Sequence, residues 1–230
     1  MKTKRQCNGC GIQFEAETVE FDGKVMAGQR YCEQCIVAHE RQRADERSQW
    51  ERGLIEDAWN RICPPLYRDT EADRLPCSLD CVNRVMQWQY GPRGLLLHGE
   101  TDLGKTRLAF LLLKTMHFTD RKKIVAISSI QFGLDVSAAF SESSAKAKAM
   151  IEKLTTVDLL FLDDVGKARL TERVEEAFFH VIEERCSHLL PIIATTNMTG
   201  TTIGQAMSED RSAPFVRRLR KFNDCIRITV

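Results

Sequence analysis

Residues 99–106 read Gly-Glu-Thr-Asp-Leu-Gly-Lys-Thr, two glycines bracketing four residues and followed at once by a lysine and a threonine. Glycines at that spacing let consecutive backbone N–H groups turn inward around an anion at the positive end of a helix. Lys105 then reaches the outer phosphates of a nucleotide, and the Thr106 hydroxyl helps hold Mg²⁺. The flanks suit this use, because an apolar run from Gly94 to His98 precedes the loop and a helical pattern from Lys105 to His117 follows it. A chance glycine turn capping an ordinary helix is the plainer alternative, but it requires no strand in front. Contacts to ATP are therefore expected from Gly99, Glu100, Thr101, Asp102, Leu103, Gly104, Lys105, Thr106 and Arg107. Asp102 stands where such loops often carry another glycine. It tolerates left-handed dihedrals but brings a negative charge close to phosphates, so weak nucleotide binding is expected.

A phosphate loop needs a carboxylate to hold its metal at the end of a neighbouring buried strand. The stretch DLLFLDDVG supplies Leu159 to Leu162 followed by Asp163 and Asp164. Asp163 is expected to hold Mg²⁺ together with Thr106, and Asp164 to polarise the attacking water as a general base. Paired aspartates can also cap a helix or turn, but their position after a phosphate loop favours the metal. A further buried run, LLPIIATTN, ends in Asn197, which is placed to hydrogen-bond the water or the γ-phosphate or simply to open a turn. Near the end, RSAPFVRRLRKF carries Arg211, Arg217, Arg218, Arg220 and Lys221 on a helical pattern, part of which is an ordinary solvated face.

A second chemistry sits at the other end. Cys7-x-x-Cys10 and Cys32-x-x-Cys35 form two knuckles, CNGCG and YCEQC. Thiolates two residues apart can face one ion, so the four cysteines are expected to form a tetrahedral, structural Zn²⁺ site. A redox role would need only one such pair. His39 lies close by but falls on a charged helical pattern, and Cys63, Cys77, Cys81, Cys186 and Cys225 read as small core residues.

These groups must be positioned by a framework, and the hydrophobic pattern describes it. Apolar runs of strand length, Gly94–His98, Ile124–Ile127, Leu159–Leu162, Pro191–Thr196 and Cys225–Val230, alternate with helical stretches Lys105–His117, Ile130–Leu154 and Thr171–Cys186. That is the pattern of an α/β fold with a parallel sheet of five strands flanked by helices. The expected organisation is a zinc-ribbon module at 1–38, a charged helical linker at 39–60 and a phosphate-loop ATPase domain at 61–230.

In their order, the phosphate loop at 99–106, LLFLDDVG at 159–166, IIATTN at 192–197 and the arginine pair before a terminal strand resemble an AAA+ ATPase. The similarity is to the DnaC-like helicase-loader and IstB-like transposition-helper group, over about residues 55 to 230. The resemblance implies an AAA+ core without a C-terminal lid and ATP-driven assembly of a homo-oligomer on DNA, single-stranded in particular. It also implies a replicative helicase or transposase as partner. It further implies that an arginine completes each site from the next subunit, with Arg218 the best positional match and Arg217 the next. The alternative functions are transposition help, or a zinc-ribbon adaptor in which ATP or ADP is a switch ligand that is not hydrolysed.

Composition bounds these readings. With 33 basic and 32 acidic residues the chain has a net charge of +1, so a nucleic acid must meet a local basic patch rather than a whole-protein field. The charged N-terminus lacks an apolar signal core and no segment is apolar enough for a membrane span, which predicts a cytoplasmic protein.

Overall fold

The computed structural model describes residues 2–17, 19–21, 24–26, 28–167, 171–198 and 209–230, with the backbone alone at 2, 17, 19–21, 24–26, 209–210 and 212. The chain divides into two compact units, Met1–Glu56 and Asp57–Val230.

In the first unit, strand β1 (Lys2–Gln6) pairs antiparallel with β2 (Gln13–Glu17), and β3 (Val19–Phe21) with β4 (Lys24–Met26). Helix α1 (Glu33–Ile62) begins directly after Cys32 and carries the chain into the second unit. The charged segment is thus helical, but its helix starts at Glu33 rather than His39. His39 stays on that helix, its ring 5.0 Å from that of Tyr31.

The second unit opens with α2 (Pro65–Arg68), a 3₁₀ turn (Ala72–Arg74) and α3 (Leu79–Met86). Pro64 and Pro65 end α1 as their missing N–H groups require. Then follow β5 (Gly94–His98), α4 (Lys105–Phe118), β6 (Ile124–Ser128), α5 (Ser129–Glu142), α6 (Ser144–Thr156), β7 (Leu159–Asp163), α7 (Glu172–Ser187), β8 (Ile192–Thr196), α8 (Glu209–Phe222) and β9 (Asn223–Arg227). All five expected strands form one parallel sheet, in the order β6-β7-β8-β5-β9. The helical stretch expected from Ile130 to Leu154 is two helices. Ser143 is extended (φ −169°, ψ 151°) and its hydroxyl accepts from the Lys146 amide, so it ends α5 and caps α6.

Strand alternation sorts the core into two faces. Leu95, Leu97, Phe161 and Ile193 pack with Leu108 and Leu112 of α4. Leu96, Leu160, Leu162 and Ala194 pack with Phe132, Phe178 and Phe215. Cys63, Cys77, Cys81 and Cys186 are buried as expected of small core residues, but Cys225 on the outermost strand is exposed.

Arg185 is fully buried on α7. Its guanidinium donates to the carbonyls of Leu154 (2.9 Å), Val157 (2.8 Å), Asp158 (3.2 Å) and Pro191 (2.8 Å), joining the end of α6 to the starts of β7 and β8. Burial lowers its pKa to about 10, which still leaves it charged at neutral pH. The carbonyls of Leu154, Val157 and Pro191 would lose the guanidinium donor in Arg185→Met, while that of Asp158 keeps the Tyr90 hydroxyl (3.3 Å), so this variant is expected to unfold with about 2–4 kcal/mol less stability. Urea titration checks this, and a midpoint indistinguishable from wild type refutes the structural role.

Candidate functional site

The phosphate loop lies between the end of β5 and the start of α4, and its backbone explains its residues. Gly99 has φ +151°, and a Cβ there would stand 2.5 Å from the Ile228 carbonyl oxygen. Gly104 has φ +76°, with Pro76 at 2.9 Å from where its Cβ would be. Gly104 also caps α4 without any side-chain acceptor, which leaves the first amides of the helix facing the loop. Asp102 adopts φ +64°, the left-handed conformation that a glycine would take more easily. Glu100, Thr101 and Asp102 are exposed, while Leu103 packs against the core.

Lys105 is buried, and its ammonium donates to the carbonyls of Gly99 (3.1 Å) and Glu100 (2.5 Å). Burial lowers its pKa, opposed by the negative charges of Asp164, Asp102 and Asp163. Asp102 is therefore close enough to act on the cation that phosphates need. Arg107 turns away from the loop, its guanidinium 5.6 Å from the Tyr67 ring centroid and 3.5 Å from the Thr70 hydroxyl.

Asp163 ends β7, two strands from β5, yet the structure brings it to the loop. The Thr106 hydroxyl donates to Asp163 Oδ1 at 2.8 Å, and the Thr195 hydroxyl of β8 donates to the same oxygen at 2.5 Å. Burial raises the Asp163 pKa, and those two hydroxyls oppose the rise. A carboxylate and a threonine hydroxyl in contact are hard oxygen donors of the kind that Mg²⁺ takes. Asp164 has φ +55°; its amide donates to Thr195 Oγ1 (2.9 Å) and its carbonyl accepts from Ser129 (2.6 Å). Its carboxylate Oδ2 accepts from Lys167 at 2.9 Å.

Asn197 follows β8 directly and is exposed. Arg218 lies on α8, its guanidinium paired with Glu183 of α7 and 5.2 Å from the Phe179 ring centroid. Arg217, one residue earlier, is exposed and makes no ion pair among the described residues. Thr195, Ser129 and Lys167 are participants that sequence reasoning did not single out. The polar end of the β8 run was the available signal for Thr195, and the adjacency of β7 and β8 was not.

At the N-terminal end, the sulfurs of Cys7, Cys10, Cys32 and Cys35 lie within 4.8 Å of one another. The Cys10 and Cys32 sulfurs are 3.6 Å apart, close to the edge of about 3.8 Å that a tetrahedron of Zn–S bonds requires. The amides of Cys32 (3.2 Å) and Gly9 (3.4 Å) donate to the Cys7 sulfur. Burial pushes the Cys7 thiol up, but the Cys32, Cys10 and Gly9 amides outweigh it and bring the thiol to about 6. A side chain at Gly9 would meet the Cys35 sulfur at 2.9 Å, so the knuckle needs glycine. Four sulfurs at these spacings, with amide donors already aimed at one, fit Zn²⁺.

A phosphate loop on one strand, a metal-holding carboxylate two strands away and a third strand between them define the second unit as an AAA+ ATPase fold. The sequence signature of the bacterial DnaA ATPase domain matches residues 78–211, more than half of the chain, and the chain belongs to that family. The chromosomal replication initiator protein DnaA of Campylobacter curvus (strain 525.92) is 29% identical over 108 residues, which is 47% of this chain and 24% of that protein. The chain thus spans about a quarter of this relative's length. Among solved structures, the DnaC helicase loader superposes with a TM-score of 0.61 at 20% identity, covering 72% of this chain and 100% of that one. The replication initiator DnaA bound to AMPPCP and single-stranded DNA superposes with a TM-score of 0.58 at 17% identity, covering 73% and 51%. No helix among the described residues is long and apolar enough to cross a membrane.

Nucleotide affinity and metal content test the two sites separately. Removing the carboxylate in Asp102→Gly relieves both its charge and its left-handed strain, so nucleotide affinity is expected to rise several-fold by titration calorimetry; Lys105→Ala is expected to abolish binding, and wild-type affinity in either variant refutes the corresponding role. A strong chelator is expected to release one zinc ion per chain from the purified protein, lost in Cys7→Ser; metal analysis that finds no zinc refutes the four-cysteine site.

Proposed function

We propose that this chain binds ATP with Mg²⁺ and hydrolyses it as an AAA+ ATPase in a DNA-replication transaction, acting as a loader of a replicative helicase. The observation that carries the reading is the convergence of the Thr106 and Thr195 hydroxyls on one carboxylate oxygen of Asp163 beside the phosphate loop. In this reading Lys105 and the first amides of α4 hold the phosphates, and Mg²⁺, held by Thr106 and Asp163, supplies charge neutralisation at the phosphates. Asp164 orients and polarises the attacking water, with Asn197 as a further hydrogen-bond partner. Lys167 occupies Oδ2 of Asp164, so water would use the carboxylate's other oxygen. The proposed division is a zinc-ribbon module at the N-terminal end, the helix Glu33–Ile62 as linker and the ATPase domain after it, in place of bounds at 38 and 60. Their division of labour places metal-dependent recognition in the first and nucleotide chemistry in the last.

The loader role is supported by the coverage of the DnaC helicase loader along its whole length, and single-stranded DNA as partner by the DNA-bound initiator. Assembly of several copies on DNA would let an arginine of α8 complete a neighbour's site. Arg218 matches that role by position, although Glu183 holds it within its own subunit, and Arg217 is the exposed arginine beside it. Help to a transposase is the related alternative. Two observations favour a different reading: the negative charge of Asp102 within the phosphate loop and the pairing of Arg218 with Glu183 both suit a zinc-ribbon adaptor that uses ATP or ADP as a switch without turnover.

ATPase rate measured against protein concentration, with and without single-stranded and double-stranded DNA, separates these. A steep rise with concentration and stimulation by single-stranded DNA is expected. Arg218→Ala should keep ATP binding and lose turnover, on the order of 10³-fold, with partial rescue on mixing with Asp164→Asn protein. Measurable ATP binding with flat, negligible turnover overturns the ATPase reading in favour of the switch.

A further inference from the structure

Helix α8 and strand β9 carry more positive charge than the nucleotide site uses. Between Glu209 and Val230 there are six basic residues, Arg211, Arg217, Arg218, Arg220, Lys221 and Arg227, against three acids, Glu209, Asp210 and Asp224. Ion pairs account for two of the six: Arg211 with Glu176 (2.9 Å) and Arg218 with Glu183. Asp224 is taken by Arg93 at 2.8 Å. Arg217, Arg220, Lys221 and Arg227 are all exposed, and none makes an ion pair among the described residues.

These charges are aligned. Positions 217, 220 and 221 are three and four residues apart and share one face of α8, opposite the buried Phe215 and Leu219. Strand β9 is at the edge of the sheet, and its Arg227 is in register with His98 of β5, so both side chains leave the same face. Burial lowers the His98 pKa, and the positive charges of Arg227, Arg220 and Lys105 lower it further. Basic residues in the last turn of a helix stabilise its dipole, and that accounts for Arg220 and Lys221 alone. The dipole does not account for Arg227 on the strand, and Arg217, one turn earlier on the same helix face, is kept for the subunit contact proposed above.

We propose that the α8–β9 edge, through Arg220, Lys221 and Arg227, holds the sugar-phosphate backbone of single-stranded DNA. The proposal rests on the DNA-acting reading above and names its surface. The strip is one helix face continued by one strand edge, so it follows a single backbone rather than the two that border a duplex groove. Its exposed side chains are cations rather than aromatic stacking platforms, so contacts go to phosphates and binding is independent of base sequence and sensitive to salt. It also lies outside residues 78–211, which places it beyond the part of the chain shared with the DnaA ATPase signature.

The test uses the full chain, loaded with zinc and ATP, and a fluorescent oligothymidylate titrated at several salt concentrations. The triple variant Arg220→Ala/Lys221→Ala/Arg227→Ala is expected to bind at least tenfold more weakly, with the slope of log affinity against log salt reduced by about 2, at about 0.7 for each phosphate no longer neutralised. A variant losing the same charge elsewhere, Arg84→Ala/Lys148→Ala/Lys153→Ala, is expected to bind as wild type does. Thermal unfolding compares the folds of all three proteins, and Arg220→Lys/Arg227→Lys, which keeps the charge, should keep most of the affinity. Wild-type affinity and slope in the triple variant overturn the proposal while leaving DNA binding intact. Equal losses in both charge-removal variants overturn it in favour of a diffuse field, and preference for duplex over single strand overturns the choice of ligand. If the wild-type chain binds neither DNA form, the DNA-acting reading fails together with its surface.

Discussion

A carboxylate buried at the end of a sheet must find hydrogen-bond donors, and the way Asp163 finds them organises the second unit. One oxygen accepts from Thr106, the second residue of α4, and from Thr195 on β8. The bond to Thr106 requires α4 to cross the sheet from β5 towards β7, and the bond to Thr195 requires β8 to lie between those strands. Sheet order, the direction of α4 and the opening of the phosphate loop therefore satisfy one buried group together. Thr195 also accepts the Asp164 amide, and Ser129 at the start of α5 donates to the Asp164 carbonyl, so four elements meet within a few bonds. Arg185 answers at the opposite end of the strands, where its guanidinium fixes the starts of β7 and β8. Register in this sheet is thus held at both ends by polar groups, while the apolar faces between supply most of the burial.

The first unit is built on a different principle. Its only buried apolar residues among those described are Cys7 and Ala16, too few to offset the entropy of ordering the chain. A tetrathiolate metal site contributes stability of about 10–16 kcal/mol in apparent binding terms, far beyond what two small side chains can bury. A metal held by the four cysteines would take the place of a core, and the exposed Ile12, Tyr31 and Val37 around the knuckles are compatible with that economy of burial.

What was legible in the sequence was whatever depends on local order. Gly99 to Thr106 between an apolar run and a helical pattern, Asp163 after four apolar residues, and two Cys-x-x-Cys pairs are all contiguous signals, as are the five strands. What was not legible depends on which strands become neighbours. Thr195 matters because β8 lies beside β7, and Arg185 because its helix passes beneath two strand starts; neither fact has a local signature. The break at Ser143 was written locally, in a serine able to cap the helix that follows, but the apolar pattern on both sides runs through it. For Arg218 the sequence shows a position in the chain but not the contacts of its side chain with Glu183 and Phe179, which come from a neighbouring helix.

The same partners set how strongly the site holds a nucleotide. Lys105 is satisfied by two loop carbonyls, Thr106 by Asp163 and Asp164 by Lys167. Binding of phosphates, and of Mg²⁺ where it is taken, would accordingly be an exchange, in which hydrogen bonds already formed are given up for charge-assisted ones, and only the difference would appear as affinity. Asp102 would subtract from that difference, because its negative charge acts on Lys105 and would repel phosphates held by the same loop. A site built this way is well ordered before binding, which favours geometry, and modest in net gain, which favours release. Any partner that completed the proposed site would therefore add to a geometry already in place rather than create it.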